Sequence, residues 1–160
     1  MSCLSDFLEG GHSLLVTVNQ TVKKITESGI QFDAIAFCGV SGSLIAPSVS
    51  IILSKPLLLV RKPNISSHSV SYLEGHGRKP TTSYIIIDDF IASGGTIYYI
   101  TEIIAEKIEA ACVGIFLYNH IDLSLYPIRE TSINVPVFSI WKDGAEMEAA
   151  LNSNKVCQST

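Results

Sequence analysis

The 160-residue chain is 47% hydrophobic and only 16% charged, apolar enough to bury a core and unlike a disordered tail. Eleven Lys and Arg against fifteen Asp and Glu leave a net charge of -4, which argues against a broad nucleic-acid-binding surface, because phosphate backbones are held by clustered basic charge. The length fits a single domain (1–160). No apolar run approaches a membrane span and the N-terminus lacks a signal-peptide pattern, so a cytoplasmic location is expected.

In chain order, apolar residues at 14, 15, 18, 22 and 25 recur at helical spacing and predict an amphipathic helix over 13–28. FDAIAFCGV (32–40) is a continuous apolar run of strand length leading into Gly39-Val40-Ser41-Gly42. Residues 43–54 predict a short helix with Pro47 in its first turn, where a missing N–H costs nothing. PLLLVRK (56–62) reads as a second buried strand. From Pro63 to Pro80 the chain holds two prolines, two glycines and four serines and shows no period, which predicts a long loop. Loops of that length are often functional lids. TSYIIIDDF (82–90) is a β-branched strand, followed by a helix over about 96–110, strands over 112–120 and 135–140, and a helix over 145–152.

Continuous apolar strands alternating with helices imply a doubly wound, mainly parallel α/β sheet covered on both faces. Ligands of such sheets bind at the carboxyl ends of the strands, near a topological switch point. That rule selects Gly39 to Gly42, Arg61-Lys62, Asp88-Asp89 and the segment after Ile140. The four cysteines are scattered, without metal-ligand spacing to each other or to a histidine, which argues against a structural zinc site.

The most informative segment is YIIIDDFIASGGTI (84–97). Adjacent carboxylates at the end of a buried strand repel each other and lose hydration, so hydroxyl donors or a cation must compensate. The turn then reaches Gly94-Gly95-Thr96 at a helix start, where free N–H groups and the helix dipole favour an anion. Acids on the 2′ and 3′ hydroxyls and the turn on the phosphate would suit a ribose 5-phosphate. A solvated strand end with a helix cap is the bland alternative. It accounts for Gly-Gly-Thr alone, but less well for the whole strand-acid-turn-helix pattern.

This segment resembles the phosphoribosyl-pyrophosphate motif of the type I phosphoribosyltransferases, and GVSGSLIAPS (39–48) is similar to their pyrophosphate loop and following helix. The DD-x-x-A-S-GGT run, the Arg-Lys after the second strand and VPVFSI (135–140) most resemble the adenine phosphoribosyltransferases. The resemblance implies Mg²⁺-dependent transfer of ribose 5-phosphate from phosphoribosyl pyrophosphate to a nucleobase ring nitrogen, with a purine, and adenine above others, expected. It implies Asp88 and Asp89 on the ribose hydroxyls, with the metal held indirectly through them, and Ala92, Ser93, Gly94, Gly95 and Thr96 around the 5-phosphate. Val40, Ser41 and Gly42 would offer N–H groups to the pyrophosphate through an unusual peptide geometry, and Arg61 with Lys62 would neutralise it. Within the loop over 63–80, expected to close as a mobile catalytic loop, Glu74 is the candidate acid/base.

Phe138 and Trp141 are candidate base-stacking residues, with an ordinary core role the alternative. Three features depart from relatives of this type. Ser41 stands where many adenine enzymes carry arginine. Ala92 stands where hypoxanthine and guanine enzymes place an aspartate. Residues 1–30 make only a helix and a short hood. A homodimer is left open by analogy, as is a non-catalytic reading in which the fold binds phosphoribosyl pyrophosphate or a nucleotide as a regulator or serves as an interaction module. A nicotinamide-cofactor oxidoreductase is disfavoured because GVSGSL lacks GxGxxG.

Overall fold

The computed structural model describes residues 11–62, 72–75, 80–91, 94–120 and 134–153. Four helices are present among them: α1 (Gly11–Ser28), α2 (Gly39–Leu53), α3 (Gly95–Lys107) and α4 (Gly144–Asn152). They cover six strands: β1 (Ala34–Cys38), β2 (Leu57–Val60), β3 (Leu73–Glu74), β4 (Ser83–Asp88), β5 (Ala111–Leu117) and β6 (Val137–Ser139). The spatial order is β3-β2-β1-β4-β5-β6, parallel throughout except for β3, which pairs antiparallel with β2. This is the doubly wound α/β sheet expected from the alternation of apolar strands and helices.

Period-two alternation sorts the strand side chains onto two cores. Ile35, Phe37, Ile85, Ile87 and Phe116 pack beneath α1 and α2 with Val18, Ile25, Ile45 and Val49, and Met147 and Leu151 of α4 lie against the same cluster. Ala34, Ala36, Leu58, Val60, Ile86 and Leu117 face α3 through Ile97, Ile100 and Ile104. The N-terminal helix, expected to contribute to a hood, is therefore part of the sheet's cover.

Two elements differ from expectation. Helix α2 starts at Gly39 rather than at residue 43, because Gly39 takes φ 69° and turns the chain from β1 directly into the helix. Pro47 consequently lies in the helix interior, where it cannot donate to the carbonyl of Ser43. Within the expected loop, Leu73 and Glu74 form the antiparallel edge strand β3, and Leu73 is fully buried. The following turn depends on Gly75, at φ 91°, because a β-carbon there would collide with the Leu57 carbonyl oxygen. The remainder of that loop, 63–71 and 76–79, lies outside the described residues.

From β1 the chain first builds outward to β2 and β3. It then returns to place β4 on the other side of β1 and continues to β5 and β6. The gap between the carboxyl ends of β1 and β4 is thus the topological switch point, with Gly39 to Ser41 leaving one strand and Asp88-Asp89 ending the other.

Candidate active site

Asp88 is the last residue of β4, and alternation along the strand puts it on the α3 face with Tyr84 and Ile86. It is 3% exposed. A buried carboxylate needs donors, and two reach the same oxygen: the Ser41 hydroxyl donates to Oδ1 at 2.8 Å and the Asp89 N–H at 3.0 Å. Burial pushes the Asp88 carboxyl up to about 6; the Ser41 hydrogen bond opposes the rise and the neighbouring Asp89 charge adds to it. Asp89, one residue beyond the strand, turns back so that its Oδ1 accepts the Phe90 N–H at 2.9 Å.

Both acids line a cavity of about 260 Å³ shared with Ser41, Lys62 and Gly94 to Thr96. Helix α2 starts beside this cavity and α3 at its wall, neither with a side-chain cap hydrogen bond, so the positive ends of two dipoles converge on one space. Gly94, at φ 82°, supplies the left-handed turn that lets α3 begin there. Lys62 crosses over Gly39, where a β-carbon would sit 3.3 Å from its Cε and 3.6 Å from its Nζ. Acids, helix N-termini and an ammonium in one crevice can hold a polyhydroxylated ligand that also carries phosphate.

The structure brings together Ser41, Lys62, Asp88, Asp89, Gly94, Gly95 and Thr96 from the expected set. Ala92 and Ser93 lie outside the described residues. The Val40 side chain is exposed, and Gly42 is buried against Phe37, which leaves their backbone as what the first turn of α2 can offer. The expected unusual peptide geometry is not seen there: no cis peptide bond occurs among the described residues, and the conformation that stands out is the φ of Gly39.

Other residues of the expected set lie outside the cavity. Arg61 does not line the cavity; its Nε lies 3.3 Å from Glu74 Oε1 at the β2–β3 edge, an ion pair without an aligned hydrogen bond. The reason is the strand period: Leu58 and Val60 face α3, Lys62 continues that series into the cavity, and Arg61 falls between. Trp141 is 3% exposed and donates its indole N–H to the Tyr118 carbonyl at 2.8 Å, while Phe138 stacks on Phe116 at 4.8 Å between ring centroids. Trp141 belongs to the core and Phe138 packs against it, and neither lines the cavity.

Three residues were missed. Phe90 is 40% exposed and lines the cavity; an apolar ring just past two acids in a turn was the available signal. Cys38 also lines it, with a thiol raised chiefly by burial. Tyr118, fully buried, reaches the Ser41 carbonyl at 2.8 Å, a contact that no sequence pattern indicates.

No family model matches the chain. Among curated proteins, the adenine phosphoribosyltransferase of Ureaplasma parvum is 34% identical over 90 residues, covering 48% of this chain and 52% of the relative. That of Prochlorococcus marinus is 29% identical over 104 residues, covering 56% and 60%. The chain thus spans about half the length of the curated relatives it matches. Of solved structures, adenine phosphoribosyltransferase from Saccharomyces cerevisiae aligns with TM-score 0.57 at 22% identity, over 79% of this chain and 76% of that one. Orotate phosphoribosyltransferase from Francisella tularensis aligns with TM-score 0.62 at 15% identity, over 92% and 81%. The chain has the type I phosphoribosyltransferase fold, and its sequence likeness is to the adenine phosphoribosyltransferases.

Proposed function

From that fold and those relatives, we propose that the chain is a phosphoribosyltransferase of nucleotide salvage, acting in the cytoplasm as a single domain. It moves ribose 5-phosphate from phosphoribosyl pyrophosphate to a ring nitrogen of a nucleobase, with adenine favoured, and releases pyrophosphate. The observation that carries this reading is one crevice at the switch point in which two carboxylates, two helix N-termini and Lys62 meet.

In this reading Asp88 and Asp89 accept the ribose hydroxyls, and the turn through Gly94, Gly95 and Thr96, with 92 and 93, holds the 5-phosphate. The leading amides of α2 (Val40, Ser41, Gly42) and Lys62 face the pyrophosphate, and Phe90 offers a flat apolar face to the base. The bond from the anomeric carbon to the pyrophosphate oxygen breaks with its electron pair leaving on pyrophosphate. A lone pair on the base nitrogen forms the new bond, and the N–H proton it displaces passes to Glu74. Lys62 and the helix ends act on the charge that grows on the leaving group, where stabilisation speeds the reaction. Arg61 and Glu74 form an edge pair outside the cavity, so their roles rest on the resemblance.

Among the described residues no three His, Cys, Asp or Glu side chains gather around one point. Two adjacent carboxylates suit a Mg²⁺ that keeps water and arrives with its phosphate ligand rather than one in a protein cage. When bound, such an ion would neutralise diphosphate charge. Among the described residues no helix is long and apolar enough to cross a membrane. A homodimer is the assembly proposed by analogy.

The test is incubation with phosphoribosyl pyrophosphate, Mg²⁺ and a panel of purines and pyrimidines. Release of pyrophosphate with formation of the matching nucleotide, greatest for adenine, is expected. The orientation of Arg61 and Glu74 toward each other favours a second reading, ligand binding without turnover. No product from any base, with phosphoribosyl pyrophosphate still bound in calorimetry, would select it; absence of both activity and binding would overturn both.

A further inference from the structure

Helix α2 starts on a glycine with positive φ and has no side-chain cap, so something else must orient its first turn. The hydroxyl of Tyr118 donates to the Ser41 carbonyl at 2.8 Å, and the Ser41 hydroxyl donates to Asp88 Oδ1 at 2.8 Å. The Tyr118 N–H donates to the Asp88 carbonyl at 3.1 Å. Residues 41, 88 and 118 thus close a ring of hydrogen bonds across the carboxyl ends of β1, β4 and β5. The Trp141 indole, bonded to the Tyr118 carbonyl, steadies that ring from just past β6.

A phenylalanine would fill the same apolar space, but burying a hydroxyl is unfavourable without a partner. Here the phenol oxygen is aimed at the backbone of Ser41, in the first turn of the helix that starts beside the cavity. The Ser41 side chain is turned inward to a carboxylate.

We propose that Tyr118 is a positioning residue for the leading amides of α2, and that Ser41 is the joint beside it, whose carbonyl receives the phenol while its hydroxyl separately holds Asp88. The proposal rests on the reading of the cavity as a phosphoribosyl pyrophosphate site, with the α2 amides on the pyrophosphate and Asp88 on the sugar. It follows that the phenol hydroxyl matters to a ligand that reaches the α2 amides and little to one that does not.

Calorimetry on the full chain with Mg²⁺, comparing phosphoribosyl pyrophosphate and ribose 5-phosphate, tests this. Tyr118→Phe is expected to bind phosphoribosyl pyrophosphate about 5- to 20-fold more weakly and ribose 5-phosphate within about twofold of the unsubstituted protein. Ser41→Ala is expected to weaken both ligands, and Ser41→Thr, which keeps a hydroxyl, to restore them to within about threefold. If the unsubstituted protein binds phosphoribosyl pyrophosphate and Tyr118→Phe binds it equally well, or loses both ligands equally, the proposal falls while the functional reading stands. If the unsubstituted protein does not bind phosphoribosyl pyrophosphate, the functional reading falls and takes the proposal with it. Should Tyr118→Phe fail to fold, Ser41→Ala and Ser41→Thr decide: equal affinities for both variants and the parent overturn the joint.

Discussion

Asp88 acts with opposite sign on folding and on binding. Its carboxyl is raised from 3.8 to about 6 by burial, so the folded chain holds the proton more tightly than the unfolded chain does. The associated stability is complete below about pH 4 and is lost as pH rises through about 6. Asp88→Asn is therefore expected to be more stable than its parent at pH 8, by about 1–3 kcal/mol, with the difference closing by pH 4. Urea unfolding at the two values measures it. The same substitution is expected to abolish detectable binding of phosphoribosyl pyrophosphate. At the neighbouring cationic pair, Lys62→Ala is expected to weaken that ligand by about 10- to 100-fold, because a charge-assisted contact is lost. Arg61→Ala is expected to act on turnover more than on affinity. Titration calorimetry beside steady-state rates separates the two, and a larger affinity loss for Arg61→Ala would reverse the assignment.

Among the elements, α2 is held close to the sheet by a missing side chain. A β-carbon at Gly42 would lie 2.7 Å from Phe37 Cβ and 3.3 Å from the Ile87 carbonyl oxygen, between a strand side chain and backbone that cannot retreat. Gly42→Ala is expected to cost about 1–3 kcal/mol in urea unfolding and to displace the first turn of α2. The main strands were legible because continuous runs such as AIAFC and YIIID are buried on both faces, a pattern that needs no partner to be read. The start of α2 was not, since Gly-Val-Ser-Gly looks like a loop until Gly39 is seen to make the turn. Nor was β3, a two-residue edge strand whose existence depends on a long-range partner in β2. Likewise the acids and the glycine turn announced themselves by local spacing, whereas the choice of Lys62 over Arg61 depends on which face the end of β2 presents. Trp141 and Phe138 stayed open between core and base because an aromatic at a strand end fits both, and neither lines the cavity.

For the molecule as a whole, the amino ends of β1 and β4 are joined through Asp33. One of its oxygens accepts the Thr82 N–H and hydroxyl, both at 2.9 Å, and the Ser83 N–H and hydroxyl at 3.1 and 3.2 Å. These bonds, led by the Thr82 N–H, lower its pKa from 3.8 to about 2. Since folding depresses this pKa, the stability it contributes is present above about pH 4 and disappears as pH falls toward 2. Asp33→Asn is expected to melt at a lower temperature than its parent at pH 6, with the gap narrowing toward pH 2. Scanning calorimetry across that range measures it, and a constant gap would show that charge is not the cause.

Asp33 fastens one end of the β1–β4 seam, and Ser41 with Asp88 fastens the other. A seam buttoned at both ends gives the crevice at its carboxyl end a floor that is already in shape. An occupant then spends none of its affinity on straightening that floor, and whatever yields on its arrival must do so around the rim.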